Sequence, residues 1–552
     1  MKDINIHFSK NCGFRWSSVN TRKYKIFVKG FGFKDGKYFK DEKIGNLFKP
    51  LAEKSSNKYL FENFIEIVKA MNGNFAIVIE GNNWLFASVD RVRSFPLFYG
   101  KKKHKFFISD DAYWVREQVG DNQIDKLASI EFLLTGYVTG SDTLFPNVKQ
   151  LQAGESLFIQ KIQQTMVDIK RYYYYRHYNP FKENQDTLIK YFTQSLINIF
   201  QRLIESTRGY TLIVPLSGGI DSRLIIFMLK CLGYEKVICF SYGRQGNWES
   251  KISRQVAKDL GYKWFFIPYT HKNWRRWFQS KERRAYYQYG NGLTSVPHIQ
   301  DWPAVYELRK NKYIPQQSIF IPGHTGDFIS GGHIPKYLFK QKQIDKNKLI
   351  QMIWKKHYSL WNVTDEKNRL KSAMCNRILT RIGTHVSCET LEQAASIYES
   401  WEWQERQAKF IINSVRVYEF WGYEWRIPFW DNEWMNLWSR VSLNLKLNKK
   451  LYVDICKGLF RNFFDYSIII YKWLFRIPHM IERLFYKIDK NSLFPFLFEY
   501  HISSLFNEYQ WHGMLSKKHY FLWKNKFHMR PTNLHHSAYL YYCLSEILSF
   551  KS

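Results

Sequence analysis

At 552 residues, 45% apolar and 24% charged, the chain is globular and long enough for roughly two to four domains, each with its own core. Seven cysteines scattered without a C-x-x-C pair argue against a zinc knuckle or a disulfide framework and suit a reducing cytoplasm. The net charge of +34 attracts polyanions such as nucleic acid, an anionic membrane surface or an acidic saccharide, although the Lys, Asn, Ile, Phe and Tyr richness of AT-rich coding accounts for it equally well.

The opening MKDINIHF lacks the apolar segment of a signal peptide, and no uncharged apolar run approaches the roughly 18 residues of a membrane span, so the expected location is cytoplasmic. Residues 1–180 read as β-rich, with runs at 24–28, 75–79 and 84–88 separated by Gly and Asn turns, and predict an α+β or sandwich domain. The polar stretch 179–186 leads into apolar residues at helical spacing over 187–208, which sets the boundary between a domain of residues 1–180 and one of 187–552. Strand 211–216, helix 220–231, strand 236–241 and helix 249–260 then alternate, the pattern of an α/β parallel sheet covered by helices. From about residue 345 the pattern is mostly helical. Residues 463–500 mix Ile468, Trp473, Phe475 and Phe485 with Lys472, Arg476 and Arg483. An interfacial membrane helix reads this way, and so does the commoner aromatic-rich helical core.

The strongest chemical signal is IVPLSGGIDSR at 213–223. An apolar strand runs into Leu216, Ser217, Gly218 and Gly219, then Asp221 and Ser222 at a helix start. Glycines let backbone N–H groups approach a phosphate, serine hydroxyls add donors, and the helix contributes its positive end. Asp221 is placed to hold the Mg2+ that such phosphates carry. The lysine of a P-loop is missing, which favours cleavage of ATP between the α- and β-phosphates over γ-phosphoryl transfer. The bland alternative is an ordinary Ser-Gly-Gly turn capping a helix. A second glycine turn, IPGHTGDFISGG at 321–332, carries Asp327 at its tip, and GYEWRIPFWD follows at 422–431.

In this order and spacing, the three motifs resemble the asparagine synthetase family. So do Asn72-Gly-Asn-Phe75, Asp90-Arg91 with Pro96-Leu-Phe-Tyr99, Gly136-Tyr-Val138 and Ala153-Gly154 in the N-terminal half, and the likeness spans about residues 65–455. It implies an N-terminal Ntn-hydrolase-like sandwich domain, of the class II glutamine amidotransferase type, followed by a PP-loop synthetase domain. Residues 216–222 would hold the ATP phosphates, Tyr242, Pro322 and Gly323 would line the nucleotide, and Asp221 and Asp327 would share Mg2+. Phe328 stands where the family has a further acid. Glu424 and Arg426 match the family's Glu-x-Arg-x-Pro-Phe segment, and His324 occupies a position that is usually Glu or Tyr. A His beside a carboxylate makes a good base near neutral pH, which pairs His324 with Glu424 as expected catalytic residues; the alternative for His324 is a turn residue satisfying backbone groups. For the family's later lysine the nearest candidate is Lys472.

Glutamine-hydrolysing members begin Met-Cys-Gly, whereas this chain begins Met1-Lys2 and carries Cys12-Gly13 internally. The N-terminal domain is therefore expected to be a vestigial glutaminase, because a Cys nucleophile of this type uses its own α-amine. The function implied is an AMP-forming amide ligase using ATP and Mg2+. Its nitrogen would come from free ammonia, a separate glutaminase or an amine substrate. Its acceptor would be a small-molecule or saccharide carboxylate, a uronic acid of a surface polysaccharide included. Peripheral contact with an anionic membrane or polysaccharide fits the charge, and nucleic acid is not an expected partner. The alternatives are a tRNA-modifying enzyme that adenylates a base with the same loop, and a catalytically dead binding homologue.

Overall fold

The computed structural model describes residues 4–9, 13–50, 59–161, 165–341, 344–363, 369–383, 388–461, 508–514, 529–531 and 534–549. Its first eleven strands form two sheets. They are β1 (Ile4–His7), β2 (Ser17–Asn20), β3 (Lys25–Lys34), β4 (Lys37–Lys40), β5 (Asn72–Glu80), β6 (Trp84–Val89), β7 (Phe98–Lys102), β8 (Lys105–Ser109), β9 (Val148–Gln150), β10 (Glu155–Lys161) and β11 (Thr165–Arg171). The larger sheet runs β11-β10-β6-β5-β3-β2 with β4 on β3, and the smaller runs β1-β8-β7-β9.

Side-chain alternation along the larger sheet decides which core each residue enters. Ala76 and Val78 of β5, with Leu85 and Ala87 of β6, meet Phe98, Ile108 and Val148 of the smaller sheet. Their neighbours Phe75, Ile77, Ile79 and Phe86 point the other way, onto Leu60, Phe64 and Val68 of helix α1 (Leu60–Ala70). Apolar residues four apart give α1 the stripe that this face requires. The strand runs expected at 75–79 and 84–88 lie within β5 and β6, and the run at 24–28 enters β3 one residue late, at Lys25.

Helix α2 (Gln185–Ser206) begins where Asn184 caps it by accepting the Thr187 N–H at 3.0 Å. Its buried stripe packs Phe192 edge-on against Trp434 and Trp438. The chain then builds β12 (Thr211–Pro215), α3 (Ile220–Cys231), β13 (Val237–Gly243), α4 (Trp248–Asp259) and β14 (Lys263–Pro268), and later β15 (Ser318–Phe320) and β17 (Glu424–Trp425). All five strands pair in parallel in the order β14-β13-β12-β15-β17. Leu212, Ile213 and Val214 are wholly buried, as a parallel strand covered on both faces demands. From β12 the chain steps outward to β13 and β14, then returns to place β15 on the other flank of β12. The strand order thus reverses at β12 and β15, and in open α/β sheets ligands bind outside the carboxyl ends of such a pair.

The later region is mainly helical, including α5 (Leu391–Glu402), a π-helical turn Trp403–Ile411 and α6 (Lys450–Phe460), with one short antiparallel pair of β16 (Trp361–Val363) and β18 (Met529–Pro531). Among the described residues no helix is long and apolar enough to cross a membrane. The aromatic stretch 463–500, Lys472 and Cys12 lie outside the described residues.

Candidate active site

The two glycine turns leave the carboxyl ends of β12 and β15, the adjacent strands at which the order reverses. Leu216 continues β12, its N–H donating to the Phe240 carbonyl at 2.8 Å while its own carbonyl accepts from Ser241 Oγ at 2.6 Å. Beyond it the loop is tied to the helix it precedes. Ser217 N–H donates to Ser222 Oγ at 3.1 Å, and Gly219 N–H donates to Ser217 Oγ at 3.1 Å. Gly218 lies beneath the Trp248 ring. Gly219 is the N-cap of α3 and brings no side chain to cap it, so the first-turn N–H groups present the positive end of a twelve-residue helix to whatever enters.

The second turn packs directly on that helix start. Ile321 N–H donates to the Ile213 carbonyl at 2.9 Å, and buried Pro322 carries the chain onward. A Cβ on Gly323 would stand 3.0 Å from Ser222 N, and one on Gly326 would stand 2.3 Å from Asp221 Oδ1. Only glycine lets the two turns approach so closely. Between them, Thr325 adopts φ +83°, a left-handed conformation costly for a β-branched residue.

This approach brings Asp221 and Asp327 together. Asp221 is largely enclosed by the protein, though part of it reaches solvent, and accepts Tyr452 Oη at 2.6 Å, with the Asp327 backbone N–H as a further donor. Burial first, and then the charge of Asp327, push its carboxyl up to about 6, against the pull of Tyr452 and Lys449. Asp327 is exposed and pairs with Lys449. Two carboxylates on facing turns fit a Mg2+ ion that takes the rest of its oxygen shell from phosphates and water, the usual arrangement for this metal. Among the described residues no group of three or more His, Cys, Asp or Glu forms an all-protein cage. Phe328, where the resemblance leads one to look for another acid, is buried against Tyr175 at 5.7 Å between ring centroids.

Tyr242, at the end of β13, forms the third edge. It stacks on Tyr269 at 5.1 Å, and Gln300 Nε2 donates to its hydroxyl at 3.1 Å. His324 follows Gly323 on the second turn, with a ring nitrogen 3.3 Å from Ser414 Oγ. Burial lowers it to about 4, an effect that the charge of Asp301 only partly offsets. Asp301 itself bonds Tyr418 Oη at 2.7 Å and His298 Nδ1 at 3.2 Å.

The expected pairing of His324 with Glu424 does not form. Glu424 sits on β17 opposite Ile319, alongside the body of β15 and not beyond its carboxyl end. Its Oε1 accepts Lys40 Nζ from the N-terminal domain at 2.5 Å, and its Oε2 accepts both terminal nitrogens of Arg426 at 3.2 Å. Although burial raises the Glu424 carboxyl, Arg426 and Lys40 outweigh it and hold the group below the ordinary glutamate range. Arg426 also donates to the Ser206 carbonyl at 3.0 Å and lies 3.9 Å over the Phe31 ring. Glu424 and Arg426 therefore join the two domains. The neutral His324 faces Ser414 and the Asp301 cluster, so no carboxylate of Glu424 is there to raise its basicity.

Sequence reasoning missed Lys449, Tyr452, Ser414 and Asp301. None stands beside a glycine turn in the chain, so only the fold marks them.

Fold and turns together define a synthetase domain of the PP-loop class behind a two-sheet amidotransferase-like domain. Family comparison agrees: residues 210–469 match the model described as asparagine synthase, and residues 60–173 match a glutamine amidotransferase domain. A curated relative, glutamine-hydrolysing asparagine synthetase 1 of Bacillus subtilis (strain 168), is 24% identical over 203 residues, covering 36% of this chain and 31% of the relative. The chain thus spans about a third of the length of that relative. With both domains present in this order, the matches support the asparagine synthetase family for this chain.

Among solved structures, the NH3-dependent NAD synthetase from Campylobacter jejuni subsp. jejuni NCTC 11168 is 14% identical with a TM-score of 0.20, covering 37% of this chain and 84% of its own. The glutamine phosphoribosylpyrophosphate amidotransferase of B. subtilis, complexed with ADP and GMP, is 9% identical with a TM-score of 0.19, covering 56% and 63%.

Proposed function

We propose that this protein is an ATP-dependent, AMP-forming carbon–nitrogen ligase in which residues 216–222 bind pyrophosphate. The observation that carries the reading is the meeting of an uncapped helix start with two facing carboxylates, Asp221 and Asp327, where the strand order reverses. In the proposed reaction a substrate carboxylate attacks the α-phosphorus, pyrophosphate departs into the Ser217–Ser222 loop, and ammonia or an amine displaces AMP from the acyl-adenylate. The first-turn N–H groups of α3 and the two serine hydroxyls donate to the departing phosphates. Mg2+ held by Asp221 and Asp327 would supply further charge neutralisation. Tyr242, Pro322 and Gly323 line the nucleotide, and His324 stands at the acyl side as a neutral hydrogen-bonding group.

The nitrogen source proposed is free ammonia, an amine, or ammonia from a separate glutaminase, and the acceptor is a carboxylate, with uronic acids of surface polysaccharides as one class. The N-terminal domain is proposed to serve mainly as a platform. Glu424, reaching Lys40 at 2.5 Å, supports that role. Location in the cytoplasm belongs to the same proposal.

The test is ATP–pyrophosphate exchange with purified protein across aspartate, other amino acids and hexuronates. Carboxylate-dependent, Mg2+-dependent exchange supports the reading. No exchange with any carboxylate, in protein shown to bind ATP, would refute it.

A further inference from the structure

A cleft of about 810 Å3 opens where the end of β11 and residues 174–180 meet α5 and residues 439–443, and no residue of the two glycine turns lines it. Its volume lies within the range of about 300–1,000 Å3 typical of small-molecule sites. Two tyrosines form its rim, Tyr174 and Tyr178, exposed by 46% and 48%. Exposed rings of this size on a cleft wall are apolar faces with a polar tip, suited to a ligand that has both characters.

Charge of both signs lines the cleft, Arg171, Arg176 and Arg381 together with Glu155, Glu392 and Glu405, and two of the arginines gather at Tyr174. The guanidinium groups of Arg171 and Arg176 lie over the Tyr174 ring at 5.2 and 4.6 Å. Arg171 is bound to Glu155 at 2.5 Å, yet its Nε–H is buried without an acceptor. Arg176 is exposed, and no ion pair is formed by it among the described residues. In the same network, Gln152 donates to Glu155 at 3.1 Å and Gln404 donates to Gln152 at 3.2 Å, while the Oε1 of Gln404 is buried and without a donor. An unmet buried polar atom costs roughly 1–3 kcal/mol, so the walls of the cleft hold both a donor and an acceptor in need of partners.

We propose that this cleft binds an acidic saccharide. A pyranose ring offers C–H faces to the tyrosines and hydroxyls that donate to Gln404 and accept from Arg171, and a uronate carboxylate supplies the partner that Arg176 lacks. The site is distinct from the phosphate loop and does not depend on the ligase chemistry.

The experiment is calorimetric titration of the full chain with tetragalacturonate in the absence of ATP, which keeps its result independent of adenylation. Saturable binding is expected, weakened at least about 10-fold by Tyr174→Ala or by Arg176→Ala, and largely retained by Tyr174→Phe. Both side chains are exposed, so melting curves of the variants should overlay the wild type, which separates lost binding from lost fold. Absence of saturable binding by the wild type overturns the proposal, and so does unchanged affinity in both alanine variants. Equal affinity for neutral maltotetraose overturns the acidic assignment.

Discussion

Asp221→Asn is expected to make the ligand-free protein more stable while removing metal-dependent adenylation. The carboxyl rises from 3.8 to about 6 on folding, driven first by burial and then by Asp327. Each decade of proton affinity is worth ~1.4 kcal/mol, so the ionised group costs the fold on the order of 3 kcal/mol. The folded value lies above the unfolded one, and the folded state therefore holds more protons across this window. The penalty is complete above pH 6, shrinks as pH falls from about 6 to about 4, and is gone below that. Asparagine removes the charge but keeps an oxygen for Tyr452 Oη, which donates to Asp221 at 2.6 Å. Melting without nucleotide should accordingly rise by a few degrees at pH 7.5, taking roughly 2 °C per kcal/mol for a large domain, and the gain should vanish near pH 4. Adding Mg2+ and ATP should stabilise the wild type more than the variant, and the variant should lose pyrophosphate exchange. A variant less stable than the wild type at pH 7.5, or equally stabilised at both pH values, would refute the reasoning.

Tyr452→Phe removes a donor that holds the Asp221 carboxyl down, so the acid limb of the exchange activity should move to higher pH; an unmoved pH–rate profile contradicts this. Glu424→Gln weakens the pairs with Lys40 and Arg426 and should cost on the order of 1–3 kcal/mol. Exchange and amide formation should then fall together, whereas selective loss of amide formation would return a chemical role to Glu424. Thr325→Gly relieves the φ of +83° but adds unfolded-chain entropy, so thermal denaturation should place its stability within about 1 kcal/mol of the wild type. Its exchange rate should nevertheless drop, since His324 and Asp327 lose their fixed spacing, and an unchanged rate would show that the strain has no function.

The core of the synthetase domain was legible because local signals there agree with the tertiary fold. The expected strand 211–216 and helix 220–231 correspond to Thr211–Pro215 and Ile220–Cys231, and helix 249–260 to Trp248–Asp259. A buried parallel strand is a plain apolar run, and a glycine turn followed by an amphipathic helix is local in the chain. The relation between His324 and Glu424 was not legible in this way. Both belong to motifs that resemble the family, but which carboxylate faces which imidazole depends on strand register, and Glu424 opposite Ile319 falls short of the turn. Lys449 and Tyr452 escaped for the same reason, since a helix start brings them to the turns from more than 100 residues away.

Three local penalties converge at the carboxyl ends of β12 and β15: a helix start without a side-chain cap, an aspartate raised to about 6, and a threonine at φ +83°. A structure selected only for stability tends to lose such features, because each carries a local cost, from a few tenths of a kilocalorie per mole for a glycine N-cap to about 3 kcal/mol for the ionised Asp221. Their chemistry is complementary under the proposed function. A polyphosphate would supply acceptors for the helix N–H groups, a divalent cation would favour the ionised form of Asp221, and the turn that Thr325 holds keeps Asp327 opposite it. Glu424, by contrast, has its charge matched on both oxygens by Lys40 and Arg426 and leaves little for a ligand to improve. The strained turns and the raised carboxyl, and not the conspicuous acid of the last motif, are therefore where binding energy is available, which is why the decisive mutations lie at Asp221 and Tyr452.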